Sequence, residues 1–416
     1  MSDSAEPSTC VLQHVPVARQ LWVPCAAESK AAGSHVIRGE PLAVDGTQAP
    51  APAAGQITGI SDQALIGGQI VRAVELETEP NAPGGTDDRA TQPELARTLL
   101  KTLASGQLEE VIRQLLAAGI HADRWSSPDL LGQLREAIDK RVDVVLCSAI
   151  DLDPALPLSQ TLLSERALDV ATGTAALARI SGAKRAILAL PEDSPSQIVT
   201  AVRAAASATS VTLYPLLNEY PIANASLLIK RVLGRRLLPG KLPTEVNVLL
   251  LDAPAAMAVA RFFLHNEPML HVPIGIYDPA RARGHMLLAP VGMRLGDVLR
   301  AAELETEHCQ MRAGHVLRDI SVGPDAIVAS GELKVFATGA RDAHHVSACL
   351  RCGWCIEACP VRIHPAGLLE AAQQQDREMA RHYGLPACIE CGICSYVCPS
   401  RLPLLESIRL LRAQIA

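Results

Sequence analysis

Short apolar runs separated by glycine and proline open the chain. Leu21 to Pro24 (LWVP) and Ile70 to Leu76 (IVRAVEL) are the clearest, and Gly33, Gly39, Gly46, Gly55 and Gly59 interrupt the stretch between them. Strands this short with turns this frequent predict a small β-sandwich or barrel. From Leu95 to about His265 the period changes. Leu108 to Ile120 (LEEVIRQLLAAGI) has apolar residues at helical spacing, whereas Asp143 to Ile150 (DVVLCSAI) and Ala186 to Leu190 (AILAL) are continuous apolar runs. Runs of that length, bounded by polar residues, suit strands of a parallel sheet buried on both faces. Ser194 to Ala206 opens with Ser-Pro and reads as a helix before the strand Val211 to Leu216 (VTLYPL), and Val246 to Leu251 (VNVLLL) is a further strand. Strands alternating with helices predict a Rossmann-like α/β domain. Beyond it, His271 to Asp278 and His285 to Gly292 read as strands and Leu295 to Leu304 as a short amphipathic helix, compatible with a small β-grasp module. Glu77 to Glu94, rich in Pro, Gly and acidic residues without an apolar period, reads as a linker.

Near the C-terminus the pattern gives way to cysteine. CLRCGWCIEACP begins at Cys349 and CIECGICSYVCP at Cys388, each with the spacing C-x2-C-x2-C-x3-C-P. That run holds paired [4Fe–4S] clusters, the fourth cysteine of each run ligating the other cluster. The expected ligands are Cys349, Cys352, Cys355 and Cys398 for cluster I, and Cys388, Cys391, Cys394 and Cys359 for cluster II. Structural zinc prefers paired C-x2-C hooks, four ligands in all, and would leave the third cysteine of each run idle. Disulfides suit short secreted domains, which a chain of 416 residues without a secretory signal is not. Cys10, Cys25, Cys147 and Cys309 are scattered and read as buried small hydrophobes. Ile356, Ala358, Ile393 and Val397, between the ligands, would limit water access.

Net charge of -6 and 3% aromatic residues argue against nucleic acid as a partner, since neither a basic surface nor a stacking platform is available. Free thiolates as ligands fit a reducing, cytoplasmic compartment. The most apolar stretch, Val246 to Leu264, contains Asp252, Pro254 and Arg261 and is expected to be a strand and a core helix, not a membrane span. Membrane contact is expected only through partners, peripherally on the cytoplasmic face.

Two resemblances extend this reading. His35 to Ala43 (HVIRGEPLA) and Ala51 to Ile60 (APAAGQITGI) resemble the barrel-sandwich hybrid fold of biotinyl and lipoyl domains, but Val44 to Pro50 lacks the lysine those carriers modify. Nearly the whole chain resembles the C subunit of the Rnf ferredoxin:NAD oxidoreductase complex. The most specific match is Cys388 to Arg409, with the first cysteine run, the RGEPLA and APAAG pieces, and VGMRLGDVLRAAEL behind it. The resemblance implies a multidomain α+β chain: a barrel-sandwich hybrid over 1–76, a linker over 77–94, a Rossmann-like α/β domain over 95–265, a β-grasp module of the soluble-ligand-binding type over 266–335, and a dicluster ferredoxin-type domain over 336–416. In that family, and in the related flavoprotein subunit of respiratory complex I, the α/β domain binds FMN and NADH. Three elements depart from the family here. The glycine-rich loop is replaced by AAGIHADRWSSPD (Ala117 to Asp129), the acidic motif by SAIDLDPAL (Ser148 to Leu156), and a glycine-rich segment after Tyr-Pro by EYPIANASLLIK (Glu219 to Lys230). Glycines there let the backbone approach phosphate, so neither FMN nor NADH is expected as a cofactor. Asp151 and Asp153 are expected in a solvated loop, ATGTA (Ala171 to Ala175) is too weak for a phosphate loop, and His344 and His345 are expected to be surface or packing residues, not ligands.

The function expected is an electron-transfer subunit of a larger oxidoreductase complex, passing single electrons through two [4Fe–4S] clusters between partners such as a flavoprotein, a ferredoxin or a membrane complex, without catalysing a reaction itself. The alternative is an NADH-oxidising FMN/Fe–S dehydrogenase subunit of the Rnf type. A third reading, compatible with the first, has the α/β and β-grasp domains dock a different redox partner in place of nucleotide.

Overall fold

Four strands, Val144–Ser148, Arg185–Pro191, Thr212–Leu216 and Val248–Asp252, form a parallel sheet. Val144–Ser148 and Val248–Asp252 are buried at every residue, as their unbroken apolar sequences require. Across the sheet the order is Thr212–Leu216, Arg185–Pro191, Val144–Ser148, Val248–Asp252. Chain order therefore reverses between the last two. In doubly wound sheets that reversal opens a crevice outside the carboxyl ends of the strands, where ligands bind. This computed structural model describes residues 11–44, 49–79, 90–151, 153–278, 281–304, 310–331, 333–338 and 345–415. Cys10, Cys309, His344 and most of the expected linker lie outside the described residues, as do 45–48 of the lysine-free hairpin.

The apolar stretch after Val246 is the strand Val248–Asp252 followed by the helix Ala253–His265. Among the described residues no helix is long and apolar enough to cross a membrane. Asp252 ends the strand and caps the helix, its carboxylate accepting from the Ala255 amide at 3.1 Å. The ATGTA patch lies inside the long helix Leu158–Ser181 and serves packing. A Cβ on Gly173 would sit 1.9 Å from the Ala256 carbonyl oxygen, so glycine there lets the two helices touch backbone to backbone. Cys25 and Cys147 are buried, as expected.

Two further sheets flank the α/β unit. Gln20–Pro24, Ile70–Thr78, Gly55–Ala64 and His35–Val36 pair antiparallel in that order. A six-stranded sheet runs Leu12–His14, Arg283–Pro290, His271–Asp278, Lys334–Thr338, Gln310–Ala313, Ile320–Val322. Leu12–His14 thus joins the module that follows the α/β domain, parallel to Arg283–Pro290 with Leu12 opposite Met286.

The cysteine region is an internal repeat. Arg351 and Glu390 share φ values of 53° and 54°, Gly353 and Gly392 of 81° and 79°, and Arg362 and Arg401 of 54° and 53°. A one-turn helix follows each glycine, Trp354–Glu357 in the first half and Ile393–Tyr396 in the second. The longer helices Pro365–Gln374 and Leu404–Ile415 close the halves and pack through Leu368, Ala371, Leu404, Ile408 and Leu411.

Candidate functional site

Cys349, Cys352, Cys355 and Cys398 surround one cavity of about 640 Å³, and Cys359, Cys388, Cys391 and Cys394 surround a second of about 20 Å³. In each quartet three cysteines come from one run and the fourth crosses from the other. Among the described residues no three His, Cys, Asp or Glu side chains converge as ligands of a single ion. Left-handed backbone at Arg351 and Glu390 turns each loop so that its amide donates to a sulfur: Arg351 N–H to Cys349 Sγ and Glu390 N–H to Cys388 Sγ, both at 3.4 Å.

The quartets differ in setting. Cys349 and Cys352 are exposed, with Val346, Leu350 and Trp354 exposed around them. All four cysteines of the second quartet are buried. Burial pushes the Cys388 thiol up to about 11 and Cys394 up to about 12, and raises Cys391 and, in the first quartet, Cys355. Without a cluster these groups are neutral thiols, so metal loading must displace their protons.

The second quartet faces the α/β domain. Arg412 donates to the Cys388 carbonyl at 2.8 Å, Trp125 Nε1 to the Ile389 carbonyl at 3.0 Å, Arg318 Nε to the Glu390 carbonyl at 3.3 Å, and Tyr220 O–H to the Cys391 carbonyl. Four consecutive carbonyls are held by side chains from four separate parts of the chain. Tyr220 stacks on His315 with centroids 4.1 Å apart, and the Arg318 guanidinium lies 4.7 Å from the Trp125 ring centre. The Glu390 carboxylate is paired with Arg409 and Arg412.

At the crevice between the ends of Val144–Ser148 and Val248–Asp252 lies a cavity of about 90 Å³ lined by Arg124, Ser148, Asp151, Asp252, His315 and Lys334, among others. Arg124, from the loop between the helices Leu108–Ala117 and Leu130–Asp139, forms a buried two-pronged pair with Asp252, Nε to Oδ2 at 2.7 Å and Nη2 to Oδ1 at 2.5 Å, and also donates to the Ser330 carbonyl. Asp151 and Asp153, expected in a solvated loop, are 2% and 6% exposed. Asp151 accepts from the Ser159 and Gln160 amides at the start of a helix and pairs with Lys334 at 3.3 Å; Asp153 pairs with His315 at 3.1 Å. Partners supplied from the distant segment 315–334 overturn the expectation. His345 is exposed. Trp125, Tyr220, His315, Arg318 and Arg412 carry contacts that no local pattern announces. The signal in the sequence was the adjacent arginine and tryptophan of the loop AAGIHADRWSSPD.

The chain is similar to known proteins along most of its length. Residues 132–261 match the family model described as the Nuo51 FMN-binding domain, and 341–399 match that of the 4Fe-4S dicluster domain. The C subunit of the ion-translocating oxidoreductase complex of Edwardsiella ictaluri is 25% identical over 392 residues, covering 92% of this chain and 48% of that one. The proteins of the same name from Serratia proteamaculans and Yersinia pestis biovar Antiqua are 25% and 26% identical over 92% of this chain, covering 54% and 62% of theirs. The chain thus spans about half the length of the curated relatives it matches. An NAD+-reducing [NiFe]-hydrogenase structure shares the fold at a TM-score of 0.52 and 16% identity, covering 77% of this chain and 64% of that one. The resemblance to the Rnf C subunit is borne out: a mixed α/β chain with a Nuo51-type domain and a C-terminal dicluster domain.

Proposed function

We propose that this chain is an electron-transfer subunit of a larger oxidoreductase complex, carrying cluster I on Cys349, Cys352, Cys355 and Cys398 and cluster II on Cys388, Cys391, Cys394 and Cys359. The observation that carries this is the pair of interleaved thiol quartets, each around its own cavity. Eight sulfurs so arranged fit two four-iron clusters, which would supply one-electron steps. Cluster II is the inner centre, against the α/β domain, and cluster I the outer one, beside exposed Leu350 and Trp354. Electrons pass to or from a partner redox protein at the outer centre. The flanking sheets are read as the barrel-sandwich and β-grasp modules, which hold the cluster domain within such a complex, with membrane contact through its other subunits.

The α/β cavity does not fit FMN in this reading. Its helix N-termini, which would receive a phosphate, are capped by Asp151 and Asp252. Arg124 fills the crevice, and its guanidinium is committed to Asp252 and Ser330. The alternative, an NADH-oxidising flavoprotein, is favoured by the match to a family described as FMN-binding. One experiment separates them. Anaerobically purified protein is expected to contain iron and sulfide for two four-iron clusters and to release no flavin on denaturation. Stoichiometric flavin refutes the proposal, and absence of iron refutes both readings.

A further inference from the structure

We infer that Trp125, Tyr220, Arg318 and Arg412 form a carbonyl clamp that positions the amides around cluster II and sets its reduction potential apart from that of cluster I. The inference rests on the two-cluster reading above. A peptide is planar, so fixing the direction of one carbonyl fixes the next residue's N–H. The Ile389 carbonyl, which receives the Trp125 indole N–H, shares its peptide with the Glu390 N–H that donates to Cys388 Sγ. Arg412, Arg318 and Tyr220 hold the peptides on either side in the same way. For the Ile389 peptide the carbonyl is thus engaged on the side away from the sulfur its N–H meets.

The first loop supplies an internal control. Its Arg351 N–H makes the equivalent bond to Cys349 Sγ at the same 3.4 Å. Yet among the described residues no side chain donates to the carbonyls of Cys349, Leu350, Arg351 or Cys352. The glycines repeat the contrast. A Cβ on Gly392 would lie 1.8 Å from the Leu317 carbonyl oxygen, whereas one on Gly353 would meet nothing within 4 Å. The second loop is pressed against the segment of Leu317, and among the described residues the first has no such neighbour at its glycine.

Amide hydrogen bonds to sulfur, burial and nearby charge set the potential of such clusters. N–H groups held on the sulfurs stabilise the added electron, and hydrogen-bonding their carbonyls strengthens them as donors. Trp125 and Tyr220 touch neither cluster nor substrate; they are positioning residues that act through the loop.

The test is an anaerobic redox titration of the full chain followed by electron paramagnetic resonance, with a Cys391→Ser protein identifying the cluster II signal. Trp125→Phe keeps a ring but removes the donor. It is expected to make reduction of cluster II less favourable by up to about tenfold, about 59 mV for one electron, with cluster I unmoved. Trp125→His, which retains an N–H, is expected to recover part of the shift. Should Trp125→Phe not assemble, Tyr220→Phe, which loses only a hydroxyl, carries the same expectation. Two assembled clusters with cluster II unmoved, or both centres shifting together, overturn the clamp and leave the cluster reading standing. A wild-type chain that binds no iron overturns that reading and the clamp with it.

Discussion

Gly353→Ala and Gly392→Ala are the same substitution at equivalent points of the repeat, and they are expected to behave very differently. Both glycines are left-handed, at φ 81° and 79°, where any L side chain costs roughly 1–2 kcal/mol. At Gly353 that is the whole effect, because a Cβ there meets nothing within 4 Å. At Gly392 the added carbon would sit 1.8 Å from the Leu317 carbonyl oxygen, against the 3.0 Å that real Cβ contacts keep. Backbone on one side must move, and forced overpacking of this kind costs about 1–3 kcal/mol more. The loop that moves carries Cys391 and Cys394, so the cost falls on cluster assembly as well as on stability. The assay is iron and sulfide content after anaerobic reconstitution, with thermal unfolding alongside. Gly353→Ala is expected to keep both clusters with a small loss of stability. Gly392→Ala should lose cluster II, about half of the iron, and unfold markedly earlier. Equal loss in the two variants would refute the difference in packing between the two glycines.

Other consequences are open to measurement. Arg124→Ala strands the Asp252 carboxylate in a buried site and is expected to destabilise the α/β domain by about 3–5 kcal/mol; adding Asp252→Ala should restore much of this, since a buried pair is worth little net. A double-mutant cycle by denaturant unfolding gives the coupling, and additive single losses would count against the pair. Cys391→Ser is expected to remove cluster II while leaving the far-ultraviolet circular dichroism of the sheets largely intact, and unchanged iron content would sink the ligand assignment. Because Cys349 and Cys352 are exposed and the second quartet is not, a chelator or air should strip cluster I first, followed as a biphasic loss of the visible absorbance. Cluster II disappearing first would contradict the inner and outer ordering.

Much of the fold was legible because burial on both faces writes itself as unbroken apolar sequence. DVVLCSAI and VNVLLL are the adjacent strands Val144–Ser148 and Val248–Asp252, and the apolar stretch after Val246 is strand and helix as its Asp252, Pro254 and Arg261 required. Sheet membership was not legible. Nothing in Leu12–His14 reveals that its partner is Arg283–Pro290, because pairing across hundreds of residues leaves no local period. The cysteine spacing carries local information, since each quartet draws three sulfurs from one short loop. Asp151 and Asp153 failed for the opposite reason. A carboxylate in a loop reads as solvated until Lys334 and His315 arrive from a distant segment to pair with it. In the loop Ala117 to Asp129 the contacts come from Arg124 and Trp125, whose partners Asp252 and Ile389 lie far along the chain.

That loop joins the two halves of the functional reading. Arg124 and Trp125 are adjacent, and their side chains part: one goes into the crevice to Asp252, the other out to the carbonyl of Ile389 between two cluster cysteines. A glycine-rich cradle can do neither, because it has no side chain to fill a crevice and none to reach across a domain boundary. On the reading proposed here, the residues that close the nucleotide site are continuous with those that brace the inner cluster. Reopening the one therefore loosens the other. Replacing His121 to Asp129 by a glycine-rich segment removes the guanidinium from the crevice and the indole from Ile389 at once. Such a protein is expected to shift or lose cluster II even if it gains affinity for a flavin. Flavin binding with cluster II untouched would show that the two roles of the loop are independent.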